Sequence, residues 1–341
     1  MNTDDMNKAG RILTFFRKHP VLLLLLLSPG IVEYLSSSSP VSALFLNPFL
    51  FLIQLVANLG LYGPGVLLIR EALVRWKKGW ATAIALSVAY SVLDEGIALS
   101  TMFNPNSSAT TGLLGSYGWW HGVNWIWSPT VMILHAVFSI TLPLLLFELA
   151  LPERKGQPLL GKRSGISVAG ILLVDVLFLL RVTAHVEHFF LGIPRLLASI
   201  TVIAACVLLG YLLPATAFSP RSAYPKTKPW VMIPVGMYGI LFFIMAAIGK
   251  ALNLPMYLTL LAIFLLVGSF LAMVMQGIGK AHNQRHLIAL TIGLILPLVI
   301  AGILQELPFP VVLVLDLPFT WFLIRLWKDA PPSADTLLKP A

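Results

Sequence analysis

The sequence predicts an all-α fold, a polytopic bundle of about ten transmembrane helices, and three observations support this. Hydrophobic residues make up 58% of the chain and charged residues only 11%, whereas soluble domains carry roughly 25% charged residues. The mean hydropathy is +0.88. Apolar windows long enough to cross a bilayer as helices follow one another along nearly the whole chain. We therefore expect a single integral membrane domain over residues 1–341.

Ten apolar windows are predicted to span the membrane, and two of them contain helix-breaking residues. A Ser-Pro-Gly run at Pro29 interrupts the first window, and a Gly-Pro-Gly run at Pro64 interrupts the overlong second one. Such breaks are tolerated where neighbouring helices or a cavity satisfy the freed backbone groups. No small-x-small cleavage site follows the apolar run Val21–Leu27, so we predict an uncleaved first helix. The predicted spans are 19–36, 44–73, 79–99, 129–151, 165–189, 193–217, 229–249, 254–277, 287–304 and 309–328.

The distribution of basic residues predicts the orientation of these spans. With ten spans, all of the 23 Lys and Arg residues except Arg181, Arg195 and Lys250 fall on one side. The positive-inside rule therefore predicts that both termini are cytoplasmic. It also explains the net charge of +9 without nucleic acid as a partner. We expect the lipid bilayer to be the main partner and the location to be a bacterial or archaeal cytoplasmic membrane.

The loop from Ser100 to Ser128 is the one long loop on the predicted outer side. It contains no Lys, Arg, Asp or Glu, but it carries four tryptophans. Indole rings cluster at the membrane interface. This loop is therefore predicted either to lie in the interface as an aromatic belt or to fold back over the bundle as a lid.

Ionisable side chains within the apolar windows are the candidate functional groups, because a charge in the bilayer is costly. The third predicted span ends in two adjacent carboxylates, and the fifth carries three basic side chains at i, i+4 and i+7, on one helix face. A rise of about 1.5 Å per residue places these groups, with Glu33 of the first span, at one level in the outer half. The predicted site residues are Asp94, Glu95, His135, Arg181, His185 and His188.

We predict that these residues meet, which makes residues 80–190 the functional core and residues 191–330 mainly structural helices. Adjacent helical residues point about 100° apart, so one of the two carboxylates would face the centre, and we choose Glu95. The single cysteine, Cys206, excludes an intrachain disulfide and a cysteine-based metal site.

A partly desolvated carboxylate such as Glu95 can act as a general base toward water. Histidine or arginine side chains beside it can stabilise the oxyanion that forms when the water attacks a carbonyl group. Alternatively, a glutamate with three histidines is a ligand set for zinc, which would activate the water itself. The sequence has no His-Glu-x-x-His helix, so the cofactor stays open, with zinc as the alternative.

This arrangement resembles the CAAX-endopeptidase and bacteriocin-processing (CPBP) family of intramembrane glutamate proteases. Their pattern is Glu-Glu-x-x-x-Arg, then Phe-x-x-x-His, then His-x-x-x-Asn, each on its own helix. The resemblance implies a helical bundle with a membrane-buried cavity, Glu95 as the water-activating base, and His135 and His185 as oxyanion stabilisers. This chain departs from the pattern with Asp at the first acidic position and no arginine in register. Val131 stands in place of the Phe, and Phe189 in place of the Asn.

Three functions are therefore predicted. The first is an intramembrane hydrolase, a peptidase that uses Glu95. The second is a transporter or proton-coupled carrier that uses the same buried charges. The third is a non-enzymatic membrane component in which the charges fix helix packing. The sequence leaves open whether the substrate is a peptide or a small molecule.

Overall fold

The computed structural model describes residues 14–220, 222–225, 227–281, 283–308 and 310–331. The chain is 74% helical, and the described residues contain one antiparallel hairpin of two-residue strands, β1 (Trp119–Trp120) and β2 (Val123–Asn124). The predicted all-α fold is confirmed. The start of the last predicted span, position 309, lies outside the described residues, as do these basic residues of the orientation argument: Lys8, Arg11, Arg221, Lys226 and Lys339.

Ten helices correspond to the ten predicted windows. The first half of the chain forms α1 (Pro20–Tyr34), α2 (Pro48–Trp76), α3 (Trp80–Ala98), α4 (Trp127–Ala150) and α5 (Lys162–Val186). The second half forms α6 (Ile193–Leu212), α7 (Pro229–Ala251), α8 (Met256–Gly277), α9 (Gln284–Gln305) and α10 (Leu313–Asp329). The short helical segments are Ala43–Leu46, Ser108–Leu114 and Pro152–Arg154, and α7 is interrupted between Tyr238 and Leu241.

Eight of these helices, α2 to α9, are long and apolar enough to cross a membrane. The helix α1 is apolar but shorter, and α10 has 17 residues. The chain is therefore a polytopic membrane protein on the length and composition of its helices. The count of ten spans and the cytoplasmic position of both termini stay predictions.

The helices differ in how much of their surface the bundle covers. In the apolar window of α3, 83% of the residues are buried, against 67% for α4 and 50% for α2. The share falls to 6% for α5 and 11% for α6. The helices α3 and α4 are therefore the most enclosed, with α2 and α9 next at 50% each, and polar side chains buried on them are held away from both lipid and water.

The two predicted helix breaks have different outcomes. The helix α1 changes from α-helical to π-helical geometry at Gly30, directly after Pro29. By contrast, α2 is one continuous helix through Pro64. The glycines beside Pro64 serve close packing instead, since a Cβ atom added to Gly65 would lie 2.3 Å from Tyr90 Cε2. Gly65 thus lets the aromatic ring of Tyr90 on α3 lie directly against the backbone of α2.

Substitution of Gly65 by alanine is predicted to lower the free energy of unfolding by about 1–3 kcal/mol, because the added methyl group overpacks the contact with Tyr90. Gly268→Ala is the matched control, since Gly268 also lies within a helix and faces open space. That change is expected to leave stability unchanged or to raise it by up to about 1 kcal/mol. Denaturant titration in detergent micelles measures both variants, and equal stabilities would contradict the prediction.

Candidate functional site

Three π-helical segments carry the candidate site. They are Gly30–Tyr34 in α1, Val92–Ala98 in α3 and His135–Thr141 in α4. Isolated π-helical turns are rare and occur frequently at functional sites. Each of these segments holds ionisable side chains from the sequence prediction, so backbone irregularity and buried charge coincide. We call the following residues the polar cluster: Glu33, Tyr62, Tyr90, Ser91, Asp94, Glu95 and His135.

The imidazole of His135 lies between the two adjacent carboxylates of α3. Its Nε2 atom is 3.0 Å from Glu95 Oε1, and its Nδ1 atom is 3.6 Å from Asp94 Oδ2. Nδ1 also lies 2.8 Å from the hydroxyl of Ser139, one turn further along α4. His135 and Asp94 are 2% and 0% exposed. The predicted meeting of these three side chains is therefore present in the structure, although their catalytic roles stay predictions.

The second oxygen of Glu95 is bound by the outer loop. The hydroxyl of Thr101 donates a hydrogen bond to Glu95 Oε2, and Trp127 Nε1 donates to the Thr101 oxygen at 2.9 Å. All three side chains are buried. Both carboxylate oxygens of Glu95 thus accept from fixed partners, and the loop that follows α3 closes directly over this residue.

The remainder of the loop between α3 and α4 folds back onto the bundle, as one of the two predicted arrangements has it, whereas its position relative to the membrane stays a prediction. Met102, Leu114 and Ile126 are buried in the core, so the loop folds back onto the bundle, whereas Trp120 and Trp125 stay exposed. Asn104 anchors it further by donating a hydrogen bond to Glu187 Oε2, just beyond the end of α5. Burial raises the pKa of Glu187, and the hydrogen bond from Asn104 opposes this shift.

Glu33 joins the polar cluster through Tyr62, which the sequence interpretation missed. The Tyr62 hydroxyl donates to Glu33 Oε1 at 2.6 Å, and the Ser39 hydroxyl donates to Glu33 Oε2 at 2.7 Å. The Tyr62 ring stacks on the His135 imidazole, with centroids 5.9 Å apart and an interplanar angle of 18°. The flanking Gly-Pro-Gly run was the available signal, because small residues beside a buried tyrosine mark a close helix contact.

The predicted approach of Arg181, His185 and His188 is corrected by the structure. All three are exposed, and the structure gives none of them an ion pair or hydrogen bond among the described residues. The buried face of α5 carries Thr183 instead, whose hydroxyl donates to the Ala98 carbonyl oxygen at 3.3 Å. Positions 181 and 185 lie two residues to either side of Thr183, about 200° around the helix. Arg181 and His185 therefore point outward from α5, and His188 lies beyond the end of this helix, so the predicted i, i+4, i+7 face is not formed.

Carboxylates outnumber cationic groups around the polar cluster. Asp94 and His135 lie within electrostatic range of Glu33 and Glu95, and Asp175 of α5 also acts on Asp94. Among the described residues, no Lys or Arg forms an ion pair with any of these four carboxylates. Three acidic side chains, Glu33, Asp94 and Glu95, therefore act on a single imidazole.

The described residues include no group of three His, Cys, Asp or Glu side chains placed to hold a metal ion. Glu95 and His135 would supply two such ligands, and the two further histidines of the predicted zinc set face outward on α5 or beyond its end. The side chains present thus do not form the zinc site considered from the sequence.

Comparison with known proteins returns no match: no family model, no curated protein and no solved structure is similar to this chain. The resemblance to the CPBP proteases stays a prediction.

Replacement of Tyr62 by phenylalanine is predicted to lower the free energy of unfolding by about 1.5–3 kcal/mol, the range for hydrogen bonds to charged groups. It removes the donor to the buried Glu33 carboxylate and keeps the ring that stacks on His135. Tyr238→Phe is the control, because its hydroxyl pairs with Ser269 at an exposed position. An equal loss of unfolding free energy in both variants would show that the Tyr62–Glu33 hydrogen bond stabilises the fold no more than an exposed one does.

Proposed function

We propose that this chain is an intramembrane hydrolase in which Glu95 is the general base and His135 its partner. The observation that carries the proposal is the 3.0 Å contact between Glu95 Oε1 and His135 Nε2. It joins two neighbouring membrane helices inside the bundle, where bulk water does not compete. A carboxylate beside a protonated imidazole supplies a base for the attacking water and a positive charge for the oxyanion.

The proposed reaction is the addition of water to a carbonyl group of a membrane-embedded substrate. Glu95 accepts a proton from the water as its oxygen bonds to the carbonyl carbon, and His135 in its protonated form stabilises the oxyanion. Collapse of this intermediate breaks the bond to the leaving group, which takes the proton held by Glu95. Asp94, on the other imidazole nitrogen, would favour the protonated form of His135.

The resemblance to the CPBP family supports this proposal at two positions, Glu95 and His135, and makes a peptide bond the preferred target. The family's second histidine would correspond to His185, which is exposed and has no role in the proposed mechanism. Ser139 and Thr101 are the polar side chains that orient the proposed pair.

A second candidate function is that of an ion-coupled carrier, and the surplus of carboxylates over cationic groups favours it. Buried acidic side chains in membrane helices mark proton and ion pathways in transporters. A carrier would use Asp94 to bind and release a cation, whereas a hydrolase depends on Glu95.

The isosteric substitution Glu95→Gln tests the hydrolase. It keeps the size of the side chain but removes the base, so peptidase activity is expected to fall at least about 100-fold. New amino-termini of membrane proteins, tagged and counted by mass spectrometry in the native host, report cleavage by the wild-type chain and by the variant.

Glu148→Gln is the matched control, because Glu148 lies on the same helix as His135 and pairs with Lys155 at the helix end. It should leave the cleavage products unchanged. If the wild type and Glu95→Gln yield the same termini, the hydrolase proposal is wrong. Proton uptake by proteoliposomes that Asp94→Asn abolishes would then favour the carrier.

A further inference from the structure

Three neighbouring polar side chains on α3 lack any hydrogen-bond partner although they are fully enclosed. The side chains are those of Asp94, Tyr90 and Ser91. The atoms without a partner are the two carboxylate oxygens of Asp94 and the hydroxyl oxygens of Tyr90 and Ser91. Asp94, Ser91 and Tyr90 are 0%, 0% and 4% exposed. Buried polar groups in folded proteins are almost always paired, so these oxygens require a further partner.

The spacing of these residues places them within about one helical turn of each other. Tyr90 and Asp94 are separated by four positions and Ser91 and Asp94 by three, with the change to π-helical geometry at Val92 between them. The Tyr90 ring lies edge-on to His135, with centroids 6.3 Å apart, and Gly65 holds it against α2. The three side chains with unpaired oxygens therefore lie within the polar cluster.

The charges around Asp94, Ser91 and Tyr90 favour the binding of a cation. Glu33 accepts hydrogen bonds from Tyr62 and Ser39. Glu95 accepts one from Thr101 and contacts His135, the one basic side chain in the polar cluster. Asp94 is left without a donor on either oxygen. A buried carboxylate without hydrogen-bond donors is costly, and its one ion-pair partner among the described residues is His135, at 3.6 Å, which also contacts Glu95.

We propose that Asp94, Ser91 and Tyr90 form a binding site for a monovalent alkali cation, with Na⁺ as the probe. Carboxylate and hydroxyl oxygens are the hard ligands that such ions take, and irregular helical segments hold the coupling ions of many transporters. One carboxylate without a hydrogen-bond donor matches a single positive charge.

A hydrogen-bonded line connects this region with the surface. The exposed Gln54 donates to Ser39 at 2.7 Å, Ser39 donates to Glu33, and Tyr62 joins Glu33 to the ring of His135. This line links the polar cluster to an exposed polar side chain. The site does not depend on hydrolysis at Glu95, so its failure and the failure of the hydrolase are distinguishable; it is the site that the second candidate, a carrier, would use at Asp94.

Thermal unfolding of the purified full-length chain in detergent micelles tests the site. NaCl replaces N-methylglucamine chloride at constant total chloride, which holds ionic strength fixed. A ligand that binds only the folded state raises Tm as its concentration increases. We expect a rise in Tm with Na⁺ in the wild type and in Asp316→Asn, and none in Asp94→Asn. Asp316 is the matched control because it is a buried carboxylate with both oxygens unpaired in another helix.

Ser91→Ala keeps the experiment decisive if Asp94→Asn fails to fold. It removes one oxygen ligand and no charge, and it should raise the Na⁺ concentration at half-effect about tenfold, the equivalent of about 1.4 kcal/mol. Identical Tm values in the two salts for the wild type would overturn the proposal. So would an unchanged Na⁺ response in Asp94→Asn or Ser91→Ala, because the added partner of Asp94 would then be water or a proton.

Discussion

The contact of His135 with two adjacent carboxylates is the interaction on which the interior of this bundle depends. Separated from one another in lipid, three ionisable side chains would each carry a large desolvation cost. In the folded bundle, the His135 imidazole contacts the Glu95 carboxylate at 3.0 Å and lies 3.6 Å from the Asp94 carboxylate. This pairing requires α3 and α4 to lie side by side. It therefore fixes the position of the two most enclosed helices of the chain.

The π-helical segments explain how both carboxylates reach the same ring. In a regular α-helix, consecutive side chains diverge by about 100°, which led us to expect only Glu95 at the centre. In Val92–Ala98 the Leu99 amide bonds back to the Asp94 carbonyl, five residues earlier, and this wider turn changes the directions of the side chains. Asp94 and Glu95 consequently approach opposite nitrogens of one imidazole.

Much of the fold could be predicted from the sequence because lipid imposes a strict rule: each span must be a long apolar helix. The depth argument also succeeded for Asp94, Glu95 and His135, since it needs only helix length and direction. It failed for Arg181, because depth says nothing about rotation around the helix axis. The rotation of α5 is set by the packing of the face around Thr183. The sequence did not indicate this face, because α5 is hydrophobic on all sides. Tyr62 was missed for a similar reason, as a tyrosine in an apolar run is equally compatible with an interfacial position.

Asp94 and Glu95 are neighbours in sequence, yet their surroundings suit them to different tasks. Glu95 is held by Thr101 and His135, and its side chain is 11% exposed, so it has a fixed direction and some access. Asp94 is fully enclosed and lacks any hydrogen-bond donor. Environment, rather than residue type, separates the roles of paired carboxylates. The same imidazole touches both, so a cation bound at Asp94 would weaken that residue's hold on the His135 proton. Binding of a cation at Asp94 would in this way change the charge that His135 presents to Glu95.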